Sequence, residues 1–559
     1  MRRTLAMATA IAATMALVSG TPVSATPTAT QENVRHLANV PGNGGHVVVE
    51  GNRLYMGNYG TGLSAYDITN PRAPVRLGQY LPGPSTSDGA DPGARADAVP
   101  DAAFWNNRHI VSLGGTSRAS TTTQTEFIDF TNPAAPVLLH RFRGATDGEA
   151  HNGDIVDARK LWLPSGGSGN NGLRIYDMSP LLNTPPGAPV KLFNGNPNSM
   201  WTSSPYKEYY GKVQGGSFNH THDIEIYTDR RILLPEWEWV DQDDDGIPDP
   251  TYGDRDIALL AAAGGGNASG AVYVIDITDP SNPVVISKWQ NPTGGSNTPI
   301  GYLHEAQFLH GDPGTIFVAD ENLTSGCNAG RVYTFSISED LVHTQKLDEW
   351  AIGTGAQDQP VCMGAHVFSS NNRFVFMGAY VAGLQVIDMR DPADLKRAGR
   401  YIAEGMNSWA ALYNKGVVYT GDLGARGLDV FEFIPDPVAS THLEFSNPTT
   451  RTTGGVAETG CRQSDPYGPT NGTDGLIVPI PESAADGTHV MRAYGTSQAP
   501  YDLDIWFHSG TNCTSMSYPG GNDSTDAVEP IPEGATMASV DLYLGAAQLI
   551  YVTITPASS

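Results

Sequence analysis

Three observations predict an all-β chain, a β-propeller of seven blades followed by a small β-sandwich. A ten-residue pattern recurs along most of the sequence, most of its copies fall about 45 to 60 residues apart, and Gly and Pro are abundant while Lys is scarce. The pattern is clearest from Gly383 to Pro392, which reads GLQVIDMRDP. It returns as GLSAYDITNP from Gly62, QTEFIDFTNP from Gln124, GLRIYDMSP from Gly172 and AVYVIDITDP from Ala271. Weaker copies, Arg331 to Ile337 and Gly427 to Phe433, bring the number to seven.

Each copy has the composition of a strand leaving a sheet: about five apolar, β-branched or aromatic positions, a carboxylate, then an Asn/Asp-Pro turn. Upstream lies a second strand, such as Asn52 to Gly57, Asn372 to Gly378 or Arg231 to Pro235. A third precedes it, such as His46 to Val49, and a fourth follows the turn, such as Val75 to Tyr80. The GLxVxDxxxP copies resemble the LVIVD repeat, a family of propeller blades found mostly in secreted or surface bacterial proteins. The resemblance covers residues 41–434; it implies a propeller and leaves the chemistry open.

Taken in order, Arg2-Arg3, the apolar run Leu5 to Val18 and Val23-Ser24-Ala25 have the parts of a secretory signal peptide, residues 1–25. Residues 26–40 form a lead-in, expected to close the ring by laying a strand beside Gly427 to Phe433. No later stretch approaches about 20 apolar residues, so a secreted or cell-surface protein without an integral membrane segment is expected. The net charge of -26 argues against nucleic acid and anionic membrane as partners. In an oxidising compartment the simplest cysteine pairing is Cys327 with Cys362 and Cys461 with Cys513; free thiols or a metal site are the alternative.

Between the third and fourth copies, residues 194–219 carry Trp201, Tyr206, Tyr209 and Tyr210, which either stack on a ligand or cover a blade edge. Within the fourth unit, Asp241, Asp243, Asp245 and Asp249 occupy loop positions one, three, five and nine, with Gly246 at six and the Ile247 carbonyl at seven. The loop resembles the calcium loops of thrombospondin type 3 and dockerin-like repeats, and calcium is the expected cofactor. It departs from an EF-hand at Tyr252, where the bidentate Glu would stand.

The first strand of a blade lines the channel, and several first strands open with histidine: His46, His151, His222, His304 and His366. Such a set suits copper, iron, zinc or manganese, with Glu149, Asp154, Asp223 and Glu305 as orienting neighbours. Alternatively, the repeat copies a histidine that bonds the next blade's backbone. His151, His222 and His304 stand two residues earlier than His46 and His366, an offset of about 7 Å along a strand. No Gly-x-Ser-x-Gly elbow, His-Glu-x-x-His or phosphate-binding glycine loop is present, and no catalytic residue is assigned.

Residues 435–437 read as a linker and 438–559 as the accessory β-sandwich. Two classes of function follow. One is a secreted binding or scaffold protein for a glycan, peptide or envelope component, with a structural calcium site. The other is a metal-dependent hydrolase, lyase or oxidase with a His-held transition metal in the channel.

Overall fold

The computed structural model describes residues 30–556 except 59–61, 82–98, 115–123, 144–151, 166–171, 211–219, 243–246, 264–269, 290–302, 311, 322–329, 353–363, 436–438, 446–475, 486, 496–501, 510–513, 518–526 and 545–547. The signal segment 1–25 and Cys327, Cys362, Cys461 and Cys513 lie outside the described residues.

The end of each repeat has one local cause. The carboxylates of Asp67, Asp129, Asp177, Asp276 and Asp388 each accept the backbone N–H two residues on, at 2.8 to 3.0 Å. In four copies the next Asn or Asp repeats the bond: Asn70 to Arg72, Asn132 to Ala134, Asp279 to Ser281 and Asp391 to Ala393. Proline follows and presets the turn, which a backbone bond closes, as from Ala73 N to Asn70 O at 3.0 Å. The side chains thus take the donors that would otherwise extend the ladder, and the strand stops.

Among the described residues, seven antiparallel sheets follow one another, spanning residues 47–80, 99–143, 152–195, 220–289, 303–351, 368–402 and 408–433. Within each of these spans, neighbouring strands are also neighbours in sequence. Both faces are buried, which is why the strands read as apolar runs rather than as alternation. In the first sheet Leu54 and Met56 pack with Tyr419 and Leu428 of the seventh, while the intervening Tyr55 packs with Val111 and Phe130 of the second. The first sheet therefore lies between the second and the last, so the sheets wheel round a centre. This is a β-propeller.

The lead-in serves two sheets. Val34–Val40 pairs with Gly427–Phe433 as the outer strand of the seventh sheet, the closure expected from the sequence. Thr30–Glu32 adds a fifth strand to the sixth, against Lys396–Ile402. Close approach at the seam depends on glycine, since a Cβ on Gly421 would stand 1.8 Å from Gly45 O.

One local expectation changes and one open alternative is decided. Arg231 to Pro235 is not a second strand: His220–Leu233 is one long first strand, and its partner is Tyr252–Ala263. The acidic loop consequently sits at the tip of a hairpin that runs beyond the sheet. Trp201 and Tyr206, the aromatics of the 194–219 loop whose side chains are described, are 5% and 4% exposed in the core of the fourth sheet. They cover a blade edge and do not offer a stacking platform.

Beyond the linker, Ala439–Phe445, Gln548–Pro556, His489–Gly495 and Ala527–Pro530 form one four-stranded sheet. Leu476–Pro479, Met537–Leu544, Asp502–Ser509 and Thr514–Ser517 form another. Met491 and Val552 of the first share one buried cluster with Ile505, Phe507 and Val540 of the second.

Candidate ligand and metal site in the propeller channel

The first strands of all seven sheets line one cavity of about 550 Å³. Strand alternation decides which side chains reach it. On His220–Leu233 these include Asp223, Glu225 and Tyr227; on Leu303–Leu309 they include Glu305 and Gln307. Asp101 and Asp154 come from the second and third sheets, and His46 stands just ahead of the first.

Five carboxylates thus share a small volume. Burial, and then the charges of Asp101 and Glu225, push Asp154 well above the usual carboxylate range. Glu225 is raised by burial and by Glu305, Asp223 and Asp101. Glu305 is raised by burial and Asp223, although bonds from Phe368 N at 3.1 Å and from the Gln307 amide oppose the rise. Asp101 accepts from Ala102 N at 2.7 Å and Ile155 N at 2.5 Å, tying the second sheet to the third. Arg230 is the only Lys or Arg among the described lining residues. Its guanidinium lies 3.5 Å above the Phe308 ring and donates to Pro313 O at 2.6 Å, and burial lowers its pKa to about 10.

At the start of these strands stands a row of histidines. The ring centroids of His222 and His304 are 4.0 Å apart, and those of His304 and His366 are 3.9 Å apart. All three are at most 4% exposed. The device that aims the first two is a β-bulge. Thr221 pairs with Ala262 and Asp223 with Ala261, leaving His222 as the extra residue. Leu303 pairs with Asp320 and Glu305 with Ala319, leaving His304. In the sixth sheet the ladder runs back past the first strand, Phe368–Ser370, with His366 N donating to Gly378 O at 3.1 Å. These irregularities correct the expected offset of about 7 Å: the imidazoles of His222, His304 and His366 touch despite their different spacing from the following strand.

The row continues with Trp409, the bulged residue of the seventh sheet, whose ring centroid is 4.9 Å from that of His366. His366 Nδ1 lies 2.8 Å from Trp409 O; because a carbonyl only accepts, Nδ1 carries the proton and Nε2 is the basic nitrogen. Nε2 is 3.9 Å from Oε1 of Glu321, which accepts the Tyr380 hydroxyl at 2.5 Å.

Among the described residues, two groups of potential ligand atoms each lie within 4.8 Å of one another: His222, His304 and Glu321, and Asp223, His304 and Glu305. Of the five histidines singled out in the sequence, three are brought together, His46 lines the cavity, and His151 lies outside the described residues, as does Glu149. Sequence reasoning missed Glu225, Gln307, Glu321 and Tyr380. Glu225 and Gln307 were accessible to it, each two residues beyond a carboxylate already noted. Glu321 follows the second strand of the fifth sheet and has no local signal.

In the acidic loop, Val240 and Asp249 form an antiparallel bridge, and Asp249 accepts Gln242 N at 2.9 Å. Asp241 and Asp249 are half-buried and Ile247 is exposed; Asp243 and Asp245 lie outside the described residues.

The fold and channel define a β-propeller with an acidic, histidine-capped axis. The LVIVD repeat model matches residues 41–81, which span the first sheet. No curated protein matches the chain. Similar solved structures include a protein from Lactobacillus plantarum, with 11% identity, a TM-score of 0.40, and coverage of 68% of this chain and 87% of that one. The WD40 β-propeller domain of Doa1 has 7% identity and a TM-score of 0.41 over 71% and 97%. BamB from Moraxella catarrhalis has 11% identity and a TM-score of 0.34 over 72% and 98%. Among the described residues, no helix is long and apolar enough to cross a membrane.

Proposed function

We propose that the chain is an exported, seven-bladed LVIVD-type propeller with a carboxy-terminal β-sandwich, acting as a binding or scaffold protein for an extracellular or envelope ligand. The observation that carries this reading is the cavity, to which every first strand contributes and in which five carboxylates face one arginine. Among glycans, peptides and envelope components, that charge favours a basic peptide or another cationic group. A lysine-rich peptide, an acidic peptide and a neutral oligosaccharide titrated against the full chain test it. The lysine-rich peptide should bind alone, and Glu225→Gln should weaken it about tenfold; equal binding of the acidic peptide rejects the reading.

Export implies removal of residues 1–25 and oxidation of Cys327 with Cys362 and Cys461 with Cys513. Calcium held by Asp241, Asp243, Asp245, Ile247 O and Asp249 would rigidify the hairpin tip, an idea supported by the Val240–Asp249 bridge that closes the loop. Chelation should then lower the thermal midpoint, calcium should restore it, and Asp249→Asn should abolish the difference. A second reading, a metal-dependent hydrolase, lyase or oxidase, is favoured by the buried histidine row. Transition-metal content of protein purified without an affinity tag decides it.

A further inference from the structure

We propose that His222, His304 and Glu321 together hold one divalent transition-metal ion at the histidine-lined end of the channel. This deepens the metal-dependent reading by naming the ligands, one of which, Glu321, the repeat pattern does not contain. Their donor atoms lie within 4.8 Å of one another, and all three residues are buried.

The alternative is that these histidines serve the fold. The seventh sheet shows what that position needs structurally, because there the bulged residue is Trp409, an indole that packs against His366. A bulky ring therefore suffices to fill the site. The fourth and fifth sheets instead spend their bulges on imidazoles. The imidazoles of the fourth, fifth and sixth sheets stand 4.0 and 3.9 Å apart in a buried place, and the donor atoms of His222 and His304 lie close enough to each other and to Glu321 to share one ion.

The surroundings have the form of a supported site. Tyr380 donates to Glu321 Oε1, fixing the carboxylate. The bond between His366 Nδ1 and Trp409 O orients that imidazole with Nε2 toward the same oxygen. His304 also groups with Asp223 and Glu305, which line the cavity, so one imidazole joins the ligand set to the space where a ligand would sit. Two imidazoles and one carboxylate suit zinc or ferrous iron, and disfavour calcium and magnesium, which prefer oxygen alone.

The test uses the full chain without an affinity tag, stripped with a chelator and then titrated with Co²⁺ in excess Ca²⁺, so that the Asp241–Asp249 loop does not compete. One equivalent should bind with a visible absorption band that Zn²⁺ abolishes. His222→Ala and Glu321→Gln should each weaken binding about tenfold or more, Glu321→Asp should retain more affinity than Glu321→Gln, and Asp249→Asn should leave the titration unchanged. Circular dichroism confirms that each variant is folded. One bound equivalent with unchanged affinity in Glu321→Gln overturns this ligand set and leaves the metal-dependent reading standing. No bound equivalent in the wild-type chain overturns both.

Discussion

Asp177 ends the third copy of the repeat by accepting Ser179 N at 2.8 Å, and its counterparts at Asp67, Asp129, Asp276 and Asp388 do the same. The repeated carboxylate is thus a stop signal for a strand and has no place in the channel. At Asp177 its contribution is a backbone hydrogen bond, so Asp177→Ala should cost about 1 kcal/mol, measured as a shift in the denaturation midpoint. A loss of channel binding in that variant with stability unchanged would contradict this assignment. Residues of the channel differ in kind: His222 and His304 occupy bulges, where the ladder is given up in order to aim a side chain.

Among the elements, Val34–Val40 matters most, because it joins the start of the chain to its last propeller sheet. A buried network holds it: His36 Nε2 lies 2.8 Å from Asp429 Oδ1, and Arg426 meets the same carboxylate at 2.7 and 2.8 Å. Burial pushes Asp429 up, yet the bonds and charges of His36 and Arg426 outweigh it and hold the carboxyl below its usual range. A depressed folded-state pKa contributes stability that is present above the unfolded-state value and is lost as pH falls through the folded one. Asp429→Asn should therefore lower the thermal midpoint near neutrality and flatten its decline on acidification from about pH 7 to about pH 3. A parallel decline in both proteins would show that closure does not depend on this network.

For the molecule as a whole, the acidic channel works in the opposite sense. Asp154, Glu225 and Glu305 are raised by burial and by the charges of neighbouring channel carboxylates, so the folded chain holds protons more tightly than the unfolded one. That contribution is full below the ordinary carboxylate range and is lost as pH rises through the raised values. Glu225→Gln removes one of the mutually repelling charges and should stabilise the protein increasingly as pH rises. Uptake of a cationic ligand should release protons, so calorimetry at neutral pH in two buffers of different ionisation enthalpy should give different apparent heats. Identical heats would mean that the carboxyls are already ionised.

The all-β architecture, the turn chemistry of each copy, the closure by the lead-in strand and the candidate histidines were legible because each depends on a pattern repeated within a few residues of itself. A strand reports its own ends, and seven similar strands report one another. The convergence of His222, His304 and His366 was legible only as a suspicion, since two bulges decide it and a bulge depends on both partners of a ladder. Glu321 and Tyr380 gave no signal at all: they reach the row from strand ends and turns of different sheets, and nothing in their local sequence records that approach. Local backbone competition is written in the chain, residue by residue. Which side chains meet at the axis is set by how neighbouring sheets pack, and that only the tertiary structure decided.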